Sequence, residues 1–385
     1  MQLPALSPRR LAGVTAIACA AALAPGAALA ATASPACRTD PVIAYVVNPA
    51  SGTVTPIRTA TNTALKAIKV GFAPLAIAIT ASGKTAYVAD ALLNAVTPIS
   101  TATGAAGKPI GAGEGPQVIA ITPNGRTAYV VNTGPGTVTP IFTATNKAGK
   151  PIRVGGTPFD IAITPNGRTA YVANSGSGTV TPISTATNKA GKPIHVGLSA
   201  SAIMITPNGR TAYVVDEGFG TVTPISTATN TAGKPIKIPH SSSYSPDGVP
   251  GQRLIVSTPN GKTVYVASQS AGTVTPISTA TNKAGKPIKV GKDPFALAIT
   301  PNGKVVEVVN QASGTVTPIF TAVNRAGQAI TVGSTPWAIA ITPNGKTAYV
   351  VNNGSDTVTP ISIVTGRAGT AISVGSGPVA IALTR

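Results

Sequence analysis

Catalysis in a protein chain needs nucleophiles, bases or metal ligands held close together, and this sequence is poor in all three. It carries two histidines, His195 and His240, two cysteines, Cys19 and Cys37, and only 10 acidic residues in 385. That is too few Cys and His ligands for a Cys/His zinc site, and it excludes a disulfide-framework fold. No Gly-x-Ser-x-Gly stretch presents a nucleophilic serine, and no second histidine lies near His240 to build a base with an orienting partner. No metal or cofactor is therefore expected. Two groups of residues remain as candidates. Phe159, Phe295 and Trp337 each follow a recurring proline, with Asp160 and Asp293 beside them. Flat apolar surface flanked by carboxylates suits a peptide, a sugar or a small molecule, although side chains so placed also serve as caps on a core. His240, Tyr244 and Asp247 belong to a polar insertion near 239–253, a candidate recognition loop. A surface insertion of this size is also tolerated without a function, because closure entropy grows slowly with loop length. His195, among lysines, is expected simply to be exposed.

The elements that must position these residues are announced by a repeat. Thr-Val-Thr-Pro-Ile begins at Thr53, Thr137, Thr179, Thr221, Thr273, Thr315 and Thr357, with a near copy headed by Ala95, and successive spacings are 42 except for one of 52. Each unit contains four short β-branched segments separated by turn residues, as at Pro123-Asn124-Gly125, where Gly supplies a positive φ before the next strand. Four strands per period of 42 predict an all-β protein, a β-propeller of four-stranded antiparallel blades. Residues 40–385 accommodate eight such units and the insertion. The chain enters on a second strand (Ala44–Val47) and leaves on a first strand (Pro378–Leu383), so a strand from the C-terminus is expected to close the ring. Seven complete blades with loose ends is the alternative, and it would leave apolar strands without partners. Tyrosine recurs at one strand position (45, 87, 129, 171, 213, 265 and 349) and is read as blade-to-blade packing. Glu307 replaces it once; a carboxylate there either tilts to solvent, which is the expectation, or is a functional group with a shifted pKa.

Residues 1–30 read as an export signal, with Arg9-Arg10, an apolar run and Ala28-Leu29-Ala30 as the cleavage site. A short segment, 31–39, then precedes the propeller, and an extracellular or cell-surface location is expected. The whole chain has 29 Lys and Arg against 10 Asp and Glu, a net charge of +19, and loses two arginines with the signal. With strands named A to D from the channel outward, the AB turns carry Lys84, Arg126, Arg168, Arg210, Lys262, Lys304 and Lys346, and the CD turns on the same face carry further lysines, Lys150, Lys192 and Lys286 among them. Most acidic residues fall in the BC turns and DA connections opposite. A cationic face suits an anionic envelope polymer held by summed, salt-sensitive contacts. Nucleic acid is disfavoured, because the basic turns lack interleaved aromatics for stacking.

Tyr-Val-Ala-Asn at Tyr171, Tyr-Val-Val-Asn at Tyr129 and Tyr349, and the Pro-Asn-Gly-Lys and Val-Gly-x-x-Pro elements resemble the YVTN-family β-propeller repeat over residues 40–385. The resemblance implies an exported, surface-layer-type prokaryotic protein, usually seven-bladed, that acts as a binding scaffold, and it transfers no catalytic residue. The resulting expectation is an exported, non-enzymatic binding or structural scaffold whose partner is an anionic envelope polymer or another extracellular protein. The alternative is a propeller enzyme, a lyase, lactonase or quinone-dependent dehydrogenase, with its site at the DA-side mouth of the channel.

Overall fold

A computed structural model of the chain describes residues 42–240 and 254–384. The repeated β-branched segments form six-residue strands because Val, Ile, Thr and Tyr pack well on a pleated, buried surface. In blade 3, strand A (Pro116–Ile121), strand B (Thr127–Asn132) and strand C (Thr137–Phe142) pair antiparallel in sequence order. Strand D is broken into Lys147–Ala148 and Ile152–Arg153, both paired to strand C, since Pro151 between them has no N–H to give the ladder. Eight such sheets form the ring. In the first, strand B (Ile43–Asn48) pairs with Ala380–Leu383, the strand from the C-terminal end. The eight-blade expectation and its closure are therefore observed, and the seven-blade alternative is not.

The core lies between blades. Tyr129 is completely buried and packs with Val131, Val138 and, from blade 4, Ala170 and Val172. Its hydroxyl donates to Asn188 Oδ1 at 2.6 Å in the CD turn of blade 4. The same lock joins Tyr87 to Asn146, Tyr171 to Asn230, Tyr213 to Asn282, Tyr265 to Asn324 and Tyr349 to Asn62. Each of these asparagines sits at a positive φ between 49° and 55°, a region that Asn tolerates better than most side chains. Burial pushes the phenols of Tyr129, Tyr265 and Tyr349 up to about 12, so they remain donors.

Glu307 corrects an expectation. Its side chain occupies the tyrosine position of blade 7 and is 2% exposed, because that position faces the neighbouring blade all round the ring and has no route to solvent. Burial pushes its carboxyl up to about 7, and Oε2 has no hydrogen-bond partner.

Candidate functional site

The two faces of the ring differ in how their turns are used. On the AB side the Pro-Asn-Gly turns are self-contained: Asn124 Oδ1 accepts the Thr122 hydroxyl at 2.7 Å and the Arg126 N–H at 3.0 Å, which leaves the Arg126 side chain in solvent. Lys84, Arg168, Arg210, Lys262, Lys304 and Lys346 are exposed in the same way, as are Lys150, Lys192 and Lys286 in the CD turns.

On the opposite face the DA connections cross over the joints between blades, and carboxylates hold several of them down. Asp90 Oδ2 accepts the N–H of Phe72 at 2.6 Å, Asp216 Oδ2 that of Leu198 at 2.8 Å, and Asp356 Oδ1 that of Gly377 at 2.7 Å. Asp160 is committed as well. One oxygen accepts the Ile161 N–H at 2.8 Å and the other the Ile203 N–H at 2.9 Å, tying strand A of blade 4 to strand A of blade 5. Asp160 thus holds two blades together in the place where a ligand group was expected.

The aromatic residues occupy a bulge that period-2 reading does not reveal. In strand A of blades 4, 7 and 8 the register slips by one residue just after the proline, between Pro158 and Asp160, Pro294 and Ala296, and Pro336 and Ala338. The extra residue is Phe159, Phe295 or Trp337, which the bulge re-aims away from the regular alternation. Phe295 and Trp337 meet, with ring centroids 4.8 Å apart and planes tilted by 57°. Phe295 is 6% exposed and belongs to the packing between blades 7 and 8, whereas Trp337 and Phe159 are half-buried. The predicted ring of three aromatics is therefore one tilted pair plus Phe159 in blade 4.

The cavities gather around blade 6 (strand A Ile255–Ser257, strand B Thr263–Ser268, strand C Thr273–Ser278). One, small, opens at the joint between blades 5 and 6 and is lined by Glu217, Pro239, His240, Ser268, Gln269 and Ser270, among others. The second, wider, opens at the joint between blades 6 and 7 beside Gln269, Ser270, Lys289, Lys292, Asp293 and Ser313. Sharing Gln269 and Ser270, the two adjoin at the BC turn of blade 6. His240 lines the first with its Cβ against Gly220, whose φ of +59° and lack of a side chain leave the room. Asp293 lines the second at φ 55°, and burial pushes its carboxyl above the usual carboxylate range. Sequence reading singled out His240 and Asp293. It missed Glu217, Gln269, Ser270, Lys289 and Lys292, whose spacing in the chain gives no hint that they line adjoining cavities. Tyr244 and Asp247 lie outside the described residues.

Comparison with known proteins falls on the same part of the ring. Residues 202–331, from strand A of blade 5 to strand D of blade 7, match a family model described as lactonase, 7-bladed beta-propeller. No curated protein matches the chain. Among solved structures, the chain is similar to Kuenenia stuttgartiensis hydrazine synthase (22% identity, 75% of this chain and 95% of that one, TM-score 0.61). It is also similar to the dihydro-heme d1 dehydrogenase NirN in complex with DHE (14%, 88% and 74%, TM-score 0.73) and to apo AztD from Citrobacter koseri (13%, 89% and 97%, TM-score 0.64). At these identities the likenesses show the propeller fold.

The lactonase match corrects the expectation of a non-enzymatic scaffold. The family model that matches residues 202–331 describes an enzyme family, and this match speaks against a non-enzymatic scaffold. The sparse supply of histidine pointed the other way because it counts residues along the chain. A groove needs only a few groups if the fold converges them.

Proposed function

We propose that this protein is a lactonase that opens a cyclic ester at the adjoining cavities of blade 6. The observation that carries the reading is a coincidence of place: the lactonase match, the single insertion in the repeat and both cavities all fall within residues 202–331. Opening a lactone requires a base that takes a proton from water, positive charge where the tetrahedral oxyanion develops, and a proton for the departing ring oxygen. His240, exposed in the first cavity, is the base. Lys289 and Lys292 supply the positive charge, which also suits the carboxylate of the hydroxy-acid product. Asp293, its carboxyl raised by burial, supplies the proton. Proton uptake by the base and delivery by the acid leave the enzyme one step from its starting state, restored by exchange with solvent.

The test is a titration of acid released from a panel of five- and six-membered lactones. The wild-type chain is expected to release acid above the buffer rate, and His240→Ala and Asp293→Asn are each expected to lower kcat/KM by about 100-fold. Absence of turnover on the whole panel, or a double variant as fast as wild type, refutes the reading.

Export through residues 1–30, and the surface-layer-type relationship implied by the repeat, would bring this enzyme to the cell envelope, where the cationic face supports retention on an anionic polymer. Reversal of Arg126, Arg168, Arg210 and Lys262 to Glu is expected to weaken retention on purified envelope polymer, to flatten its salt dependence and to leave lactone turnover unchanged. Equal retention of the variant and the wild type across the salt series would remove this partner.

A further inference from the structure

Seven of the eight joints end strand B on Asn or Asp, and the asparagines do one job five times over. Asn174 Nδ2 donates to the hydroxyls of Thr179 at 3.2 Å and Thr181 at 3.0 Å on strand C; Asn310 does the same for Thr315 at 3.1 Å and Thr317 at 2.9 Å. In these two joints the other end of the carboxamide accepts an N–H from the DA connection, that of Gly155 at 3.2 Å or Gly291 at 3.0 Å. Each carboxamide thus fills a buried slot between strand C of its own blade and the connection passing over it.

Blade 6 departs from this on both sides of the slot while keeping its floor. Ser268 stands where the asparagine should be, and Pro239, which has no N–H, stands where Gly155 and Gly291 stand in their joints. The two strand C hydroxyls remain as Thr273 and Thr275. Ser268, Thr273 and Thr275 are 7%, 8% and 0% exposed, and their three hydroxyls have no hydrogen-bond partner among the described residues. A buried hydroxyl left in this state is destabilising, and native proteins rarely leave one unpaired, let alone three together. Ser268 also lines the cavity that holds Glu217 and His240.

From this we infer that the slot between blades 5 and 6 binds an external nitrogen group that donates two N–H bonds, a primary ammonium or a primary carboxamide, on the hydroxyls of Thr273, Thr275 and Ser268. The ligand supplies what asparagine supplies from within the chain at five other joints. As a substrate group, an amino or carbamoyl substituent on the lactone, the assignment rests on the lactonase reading; as a binding site it stands on the joint alone.

The test uses Ser268→Asn, which returns the carboxamide to the slot. Methylammonium and acetamide are titrated against the full chain by thermal shift, with tetramethylammonium, which has no N–H, as control. At least one of the two N–H probes is expected to raise the melting temperature of the wild type, the responding probe distinguishing ammonium from carboxamide, while the control has no effect. Ser268→Asn is expected to melt higher than wild type without any probe, through its two restored hydrogen bonds, and to respond to none. Thr275→Val, which removes an acceptor without filling the space, is expected to lose the response as well and serves if the first variant fails to fold. On lactones, the preference for an amino- or carbamoyl-substituted ring over the plain ring is expected to fall about tenfold in Ser268→Asn. A wild type indifferent to both N–H probes, or variants that respond as the wild type does, overturns the inference even if lactones are opened. A slot that responds in a chain that opens no lactone retains the site and discards the lactonase reading.

Discussion

Removal of residues 378–385 is expected to lower the melting temperature by roughly 10–15 °C and to make the protein prone to aggregate. The strand Ala380–Leu383 is the only partner of strand B of blade 1 on its inner side, with Ala44 opposite Leu383 and Val47 opposite Ala380. The closure is reinforced beyond the ladder: the Ile43 N–H donates to the Thr384 hydroxyl at 2.9 Å, the Thr384 N–H to Ile43 O at 3.0 Å, and the Val379 N–H to Val47 O at 3.0 Å. Ile381 and Leu383 pack on the joint with blade 8, Val379 and Ala380 on the joint with blade 2. Three larger apolar side chains, partly buried at somewhat less than 2 kcal/mol each, account for about 5 kcal/mol before the lost hydrogen bonds are counted. What remains is a blade without its innermost strand, its apolar strand B left unpaired on the inner side. A truncated chain that melts as the full chain does, by calorimetry at matched concentration, would show that this strand does not close the ring in solution.

Glu307 should impose a pH dependence that its neighbours in the repeat do not. Its carboxyl is raised from 4.5 to about 7 by burial, so the folded state holds the proton more tightly than the unfolded state does. The stability linked to this group is fully present below about 4.5 and is lost as pH rises through about 7. Glu307→Gln, which cannot ionise, is expected to match the wild type at pH 4 in this respect and to gain on it by about 3 kcal/mol, or roughly 5–10 °C, above pH 7. The repeat shows why the site is awkward. Tyr265 donates to an asparagine 59 positions on, and the residue 59 positions after Glu307 is Gly366. A Cβ at Gly366 would meet nothing within 4 Å, and its φ of +63° is close to that of the asparagines in the other locks. Glu307→Tyr combined with Gly366→Asn is therefore expected to rebuild the missing lock and to exceed the gain of Glu307→Gln. Melting curves from pH 4 to 9 decide this: a constant difference between wild type and Glu307→Gln across that range would mean that the carboxylate is solvated.

What was legible in the sequence is what repetition makes legible. A hydrophobic period of two within strands, turn residues between them and a return every 42 residues leave one economical way to bury all the strands, because each blade can cover its faces only with copies of itself. Blade number and closure follow from counting, and the buried tyrosines from their recurrence. The cavities follow from none of these. Phe159, Phe295 and Trp337 were visible as aromatics after a proline, yet only Phe295 and Trp337, on the neighbouring blades 7 and 8, meet, while Phe159 stands apart in blade 4. Asp160 had the look of a ligand group, but the next blade's Ile203 N–H, 43 positions away, takes its carboxylate. Glu307 had no way to reach solvent once a second blade covered its strand. His240, Glu217, Ser268 and Asp293 are distributed over three repeats, so no local pattern links them. The first three share one cavity and Asp293 lines the next because DA connections and BC turns from successive blades converge at the joints, which only packing of the ring brings about.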